Sequence, residues 1–254
     1  MSKQIIPAGT NNTPPEGTPF NEVLHVSEFF CDTIQGEGIN IGVTAAFLRL
    51  AECSLNCIFC DTTEVWQQGS HYSFHQLFKL MEGVNLIEKF IAGQHLVITG
   101  GSPLKQQNNL ILFLNAFKLE YGFMPYIEIE NEAVYKVQAE LAEMVDCWNN
   151  SPKLANSGNS RVSRYKPEAI HQLTRLENSW FKFVVDTPDD WEEIKTDFLV
   201  PLLISKSQII LMPEGATRNE LLDNNCIAAE LAIKHGVRYC SREHVMLWDK
   251  KTGV

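Results

Sequence analysis

The chain has 254 residues, 44% of them hydrophobic and 20% charged, with a formal net charge of −10. That is enough apolar material for one large α/β domain, and too acidic a surface to grip a phosphate backbone, so a small substrate is expected rather than nucleic acid. No apolar run approaches the ~18 residues of a membrane span, and the stretch up to Phe20 lacks the apolar centre of a signal peptide, which points to the cytoplasm.

Residues 1–22, rich in Pro, Gly, Thr and Asn, read as a flexible lead-in, leaving 23–254 as a single domain. Gln35-Gly-Glu37 forms a Gly-flanked turn, and Thr44–Leu50 reads as a strand running into a cysteine cluster. Ser73 and Gln76 have capping-box spacing and open an amphipathic stretch to about Ile91. His95–Thr99 is a short apolar strand stopped by Gly100-Gly101. Leu110–Leu119 reads helical, Pro125–Glu130 and Met144–Trp148 as strands, and residues 154–166 as a polar insertion or mobile loop. Phe181–Val185 is a strand before a capping-box start at Thr187 to Asp190, with Pro188 at the first helical position. Gln208–Met212 precedes a second such start at Thr217, and Gly236–Cys240 supplies a last strand.

Repeated β-then-α units imply parallel strands with right-handed crossovers, in an open sheet or a barrel. Both architectures collect ligands at the C-terminal ends of their strands. The cysteine cluster, Gly100-Gly101, Glu130, Ser151 and Pro213 all fall at those ends. Trp180, Phe181, Phe183 and Trp191 read as core, and His71, His75, His171 and His235 receive no role.

Seven cysteines is an odd number, and three of them, Cys53, Cys57 and Cys60, cluster as CxxxCxxC. A metal or redox site is therefore the better reading than a disulfide framework. Cubane clusters normally take four thiolates, so three from one loop leave one iron open. An open iron can be chelated by the amino and carboxylate groups of S-adenosylmethionine (SAM). The competing reading is a structural zinc, its fourth ligand a distant Cys or His, in a non-enzymatic interaction module.

The triplet with Phe59 before Cys60, followed by Gly100-Gly101-Ser102-Pro103, resembles the radical SAM superfamily, whose core is a partial (β/α)6 barrel. The flanks narrow this further. Asp32-Thr-Ile-Gln-Gly-Glu-Gly38, Phe47-Leu-Arg49, Asp61-Thr62, Thr99 to Pro103, Ile127 to Asn131, Ser151-Pro-Lys153 and Leu211 to Gly215 are similar to the 7-carboxy-7-deazaguanine synthase family. The likeness runs from about residue 26 to the end.

The resemblance implies a lyase of queuosine and 7-deazapurine biosynthesis. It would convert 6-carboxy-5,6,7,8-tetrahydropterin to 7-carboxy-7-deazaguanine with release of ammonia, using a [4Fe-4S] cluster, SAM and Mg2+. Cys53, Cys57 and Cys60 would hold the cluster and Thr62 the magnesium. Ile34, Gln35, Gly36, Glu37, Arg49 and Thr99 would meet the substrate, with Arg49 and Glu37 central to catalysis and the Val254 carboxylate as a further contact. Phe59, Cys60, Asp61, Gly100, Gly101, Glu130, Ser151, Pro152, Lys153, Met212, Pro213 and Glu214 would meet SAM. A one-electron donor such as flavodoxin and a homodimer are also implied.

Plainer roles compete at several positions. Arg49 could be a surface ion-pair partner, Gln35 to Glu37 an ordinary turn, Thr62 a helix N-cap, Glu130 a solvated strand end and Lys153 a loop charge. A glycyl-radical-enzyme activase would share the cluster and the Gly pair, without needing Gln35, Glu37 and Arg49. The chain also departs from the family pattern: Glu52 stands where Gly is common, Ser102 where Glu is common, and Asn131-Glu132 where small residues are common.

Overall fold

Strands along this chain alternate apolar residues that pack outward with others that point the opposite way, and that period of two divides the molecule into a packed shell and a lined interior. The computed structural model describes residues 2–251 and 253. The strands are β1 (Lys3–Ile6), β2 (Val23–Ile34), β3 (Thr44–Leu50), β4 (Ser70–Ser73), β5 (His95–Gly100), β6 (Ile127–Asn131), β7 (Cys147–Asn150), β8 (Ser179–Val185), β9 (Ile209–Pro213) and β10 (Arg238–Tyr239). They form one sheet in the order β1-β2-β3-β5-β6-β7-β8-β9-β10, with β4 added on β2. From β3 onward every pairing is parallel, while β1, β2 and β4 run antiparallel.

Helices α1 (Thr63–Trp66), α2 (Phe74–Glu82), α3 (Leu86–Ile91), α4 (Gln107–Tyr121), α5 (Ala139–Met144), α6 (Arg161–Arg164), α7 (Pro167–Leu173), α8 (Asp190–Glu193), α9 (Val200–Leu202), α10 (Arg218–His235) and α11 (Glu243–Trp248) fill the connections. Leu48, Leu50, Ile98, Ile129, Trp148, Phe181, Phe183 and Leu211 pack into the main core with Leu77, Phe113, Phe117 and Leu231 of the helices. Their neighbours in sequence line the other face: Arg49, Thr99, Glu130, Asn149, Lys182 and Met212 all border one cavity. Two small buried apolar clusters lie on this face, Phe30, Ala45, Phe47 and Val97 on one side and Val184, Ile210, Met212 and Cys240 on the other.

Several expected elements sit differently. The lead-in is partly built into the sheet: Lys3–Ile6 pairs with β2, Ile6 is buried in the main core, and Asn12 Nδ2 donates to His71 O at 2.7 Å. The stretch after Ser73 has its capping box but breaks into α2 and α3, because Asn85 takes a left-handed conformation (φ 55°). Met144 ends a helix and the strand begins at Cys147. At Thr187 the capping box forms only by half: Asp190 Oδ2 accepts from Thr187 N at 2.9 Å, but no cap bond opens α8. Thr217 makes its complete box. Residues 154–166 are not a mobile loop. They hold a turn at Ala155–Ser157 and helix α6, and Asn156 Nδ2 donates to Val184 O at 3.0 Å.

Candidate active site

A cavity of about 580 Å3 opens at the C-terminal ends of the parallel strands. Ile34, Gln35, Gly36, Glu37, Arg49, Cys53, Cys57, Phe59, Cys60, Asp61, Thr62, Thr99, Gly100, Gly101, Glu130, Ser151, Lys153, Met212, Pro213 and Glu214 all line it. Pro152 does not line it; it is buried beside the lining residues Ser151 and Lys153. The Val254 carboxylate lies outside the described residues.

The cysteines follow β3 on a loop clamped by the Gly100-Gly101 turn. A Cβ on Gly101 would lie 2.2 Å from Glu52 O and 2.6 Å from Cys53 Cβ, so only glycine lets the two loops close. Ser102 N then donates to Glu52 O at 2.8 Å. Glu52 itself has φ 70°, the left-handed region that favours glycine, which accounts for Gly being common there. Its exposed carboxylate pairs with Lys105 and turns to the surface, away from the cluster loop. We expect Gly101→Ala to fold but to hold well under half the wild-type iron after anaerobic reconstitution, because backbone must shift where the cluster ligands sit. Full iron loading would contradict this.

Ser102 Oγ donates to Glu132 Oε1 at 2.5 Å, and Ser54 Oγ donates to the same oxygen at 2.8 Å. A carboxylate from the end of β6 thus reaches the place beside Ser102. Burial pushes the Glu132 carboxyl up. Burial likewise raises Cys53 and Cys57, whereas at Cys60 burial is outweighed by hydrogen bonds from Thr63, Trp66 and Thr62, and that thiol is lowered.

The residues fit a cubane better than one ion. A single tetrahedral zinc, with Zn–S of about 2.3 Å, would hold its thiolates roughly 3.8 Å apart. Among the described residues no three His, Cys, Asp or Glu side chains converge as such ligands would. Thiolates on three different irons of one cubane surround the cluster at a wider spacing, and Cys53, Cys57 and Cys60 all line the one cavity.

Opposite the cysteines stands a wall of paired charges. Glu37 takes Lys182 Nζ on one oxygen and Arg242 Nε on the other, the latter at 2.8 Å. Burial acts to raise Glu37, but Lys182 and Arg242 outweigh it and hold the carboxyl well below the usual carboxylate range. Arg242 also donates to Asp61 and, at 2.6 Å, to Gly215 O, tying the loop after β9 to the end of the cysteine loop. Gln35 is fully engaged: Nε2 donates to Glu128 and to Glu130 (3.2 Å), and Oε1 accepts from Glu37 N at 3.1 Å. Thr99 Oγ1 donates to Glu130 Oε2 at 2.9 Å, and burial raises the Glu130 carboxyl.

Arg49 is an ion-pair partner, but inside the barrel: its Nε donates to buried Glu28 at 2.8 Å. Among the described residues its two Nη groups meet no protein acceptor, so the outer edge of the guanidinium fork is free at the cavity. Thr62 holds the N-cap position of α1 without a side-chain cap bond, and its hydroxyl lies at the cavity 3.8 Å from Cys60 Sγ. Lys153 Nζ donates to Ser151 Oγ at 2.7 Å. Phe59 packs against Val184, Ile210 and Met212.

Sequence reasoning missed Glu28, Glu128, Lys182, Arg242 and His244. A signal existed for Lys182, a lone charge alternating with core residues in Phe181-Lys182-Phe183. His244 comes in from α11 against Gly36, where a Cβ would lie 2.1 Å from its Nδ1. No local pattern marks it.

Residues 34–151 match the family described as 4Fe-4S single cluster domain. The 7-carboxy-7-deazaguanine synthase of Pyrobaculum aerophilum is 31% identical over 232 residues, covering 91% of this chain and 97% of its own. The chain belongs to the 7-carboxy-7-deazaguanine synthase family. Other 7-carboxy-7-deazaguanine synthases match as widely: that of Halobacterium salinarum is 28% identical over 89% of this chain and 91% of its own, and that of Bacillus subtilis 27% over 91% and 98%. The crystal structure of QueE from Escherichia coli has the same fold, with a TM-score of 0.66 at 22% identity over 87% of this chain and 95% of that one. The partial barrel expected from the sequence is thus the architecture observed.

Proposed function

We propose that this protein contracts the ring of 6-carboxy-5,6,7,8-tetrahydropterin to 7-carboxy-7-deazaguanine, releasing ammonia, as a radical SAM lyase of 7-deazapurine and queuosine biosynthesis. The observation that carries the reading is the meeting, in one cavity, of the three cluster thiols and the glycine pair with Gln35, Glu37, Arg49 and Thr99. Cys53, Cys57 and Cys60 would hold a [4Fe-4S] cluster, which would supply the one-electron reductive cleavage of SAM that starts radical chemistry on the substrate.

The chain's own residues do the rest. The free edge of Arg49 holds the substrate carboxylate by a two-pronged, charge-assisted contact, which fixes the carbon bearing it. Glu28 keeps the guanidinium from turning. Glu37, kept ionised by Lys182 and Arg242, accepts the N–H groups of the pterin edge, while Gln35 holds the Glu37 backbone in place. Lys153, Ser151, Gly101 and the Met212 to Glu214 loop form the SAM side of the cavity, together with Phe59 and Asp61. The Thr62 hydroxyl is a hard oxygen ligand for Mg2+, which would offset charge developing on the substrate. A low-potential one-electron protein such as flavodoxin serves as reductant, the protein works as a homodimer, and its unpaired thiols suit the cytoplasm.

Anaerobic reconstitution followed by SAM, Mg2+, reductant and the carboxy-tetrahydropterin is expected to yield 7-carboxy-7-deazaguanine and ammonia. Protein carrying about four irons and four sulfides per chain that gives no product would sink the proposal.

A further inference from the structure

Every cluster thiol meets an N–H donor, and two of those donors are side chains brought in from outside the cysteine loop. Asn159 Nδ2 donates to Cys57 Sγ at 3.2 Å, and Trp66 Nε1 to Cys60 Sγ at 3.5 Å. Cys53 Sγ accepts the backbone N–H of Leu55 at 3.4 Å. Ser102 Oγ lies 3.8 Å from Cys53, but its 2.5 Å bond to Glu132 takes the hydroxyl proton, so Cys53 has no side-chain donor of comparable quality.

The two donors are aimed. Asn159 Oδ1 accepts from Asn56 N at 3.0 Å, which fixes the amide so that its NH2 is shared between Cys57 Sγ and Ser157, whose Oγ accepts at 3.2 Å. Trp66 closes helix α1, and its backbone oxygen accepts from Glu52 N at 2.9 Å, so the ring is hung from the cysteine loop. Among the described residues Cys60 Sγ is the indole's only acceptor. Both therefore act on sulfur rather than merely filling space.

A hydrogen bond to a ligand thiolate stabilises the cluster more after an electron has been added, because the sulfur then carries more negative charge; donors of this kind raise the reduction potential. We propose that Trp66 and Asn159 set the potential of this cluster, each raising it through one thiolate, so that a biological one-electron donor can reduce it. Trp66 lines the cavity beside Cys60 and Asn159 lies behind Cys57, so both are assigned as residues that tune the cluster through its sulfurs. The inference rests on the cluster assignment above.

The test is a potentiometric titration of reconstituted protein, mediated and followed by electron paramagnetic resonance, with iron and sulfide counted first. Trp66→Phe removes the N–H and keeps a ring; Asn159→Ala removes the amide. Each is expected to shift the midpoint to more negative potential, the double variant by about the sum, and Trp191→Phe, in the helical shell, not at all. Wild-type protein carrying 15N in its tryptophan indoles should also show a nitrogen coupling to the reduced cluster that Trp66→Phe lacks. This second measurement decides the matter at Trp66 if that variant fails to load. Fully loaded Trp66→Phe and Asn159→Ala with unmoved midpoints, or no indole coupling in the wild type, would overturn the proposal. Wild-type protein that binds no cluster would instead count against the cluster assignment.

Discussion

Arg49→Ala should lower kcat/KM for the carboxy-tetrahydropterin by roughly 10²–10⁴-fold while reductive SAM cleavage stays measurable, since each lost bond to a charged group removes about 1.5–3 kcal/mol. Glu28 holds Arg49 Nε inside the barrel and leaves the outer edge of the guanidinium for an incoming carboxylate. Removing the guanidinium also leaves Glu28 buried without its partner, a loss of about 3–5 kcal/mol in stability. Arg49→Lys separates the two effects. It keeps a cation near Glu28 but gives up the planar fork, so it should stay folded and still lose roughly 10–100-fold in kcat/KM. Turnover by both variants within a few-fold of wild type would remove Arg49 from the substrate site. Loss of SAM cleavage together with pterin turnover in folded Arg49→Lys would move Arg49 from the substrate side of the cavity to the SAM side.

Lys182→Met should destabilise the protein by about 3–5 kcal/mol at neutral pH and steepen its loss of stability as pH rises. Lys182 lies between two buried carboxylates, bonded to Glu37 and lowering Glu130 through its charge. Glu37 is depressed in the folded state, so its contribution is present above the ordinary glutamate value near 4.3 and is lost as pH falls through the depressed one. Lys182 is raised, so its contribution is present below about 10.4 and is lost as pH climbs through the raised value. Without Lys182, Glu130 rises further from its ordinary value. The folded state then binds a proton that the unfolded chain does not, and stability falls as pH rises through the window above the ordinary glutamate value near 4.3. Urea unfolding at several pH values in that window should show a steeper downward slope for the variant than for wild type. Equal slopes would mean that Lys182 does not neutralise Glu130.

The parts of the site that were legible in the sequence are those whose partners are close along the chain. Cys53, Cys57 and Cys60 point to a metal or redox site through their spacing, and Gly100-Gly101 marks a tight turn, which packs against Leu50, Glu52 and Cys53. Glu37 illustrates the limit. Its turn was visible, but its cations lie 145 and 205 positions away, at Lys182 and Arg242. Residues 154–166 misled for another reason. Their Ser and Asn side chains look solvated, yet Asn156 and Asn159 spend their hydrogen bonds on Val184 O, Asn56 N and Cys57 Sγ, so polarity there means wiring rather than hydration. Thr187 failed because Asp190 reached back to the backbone while the helix began later, at Asp190 itself.

The strict alternation of shell and lining has a consequence for insertions and deletions. In β8, Phe181, Phe183 and Val185 are fully buried in the shell, whereas Lys182 faces the cavity. Removing a single residue there would rotate every following side chain to the opposite face, driving a lysine into the hydrocarbon shell and a phenylalanine ring into the ionic wall. Stability and chemistry would fail in one step. Exposed turns such as Gly122, outside the sheet, carry no such phase. Length variation should therefore be found, or introduced, in those turns and not within the strands that carry Arg49, Glu130 and Lys182.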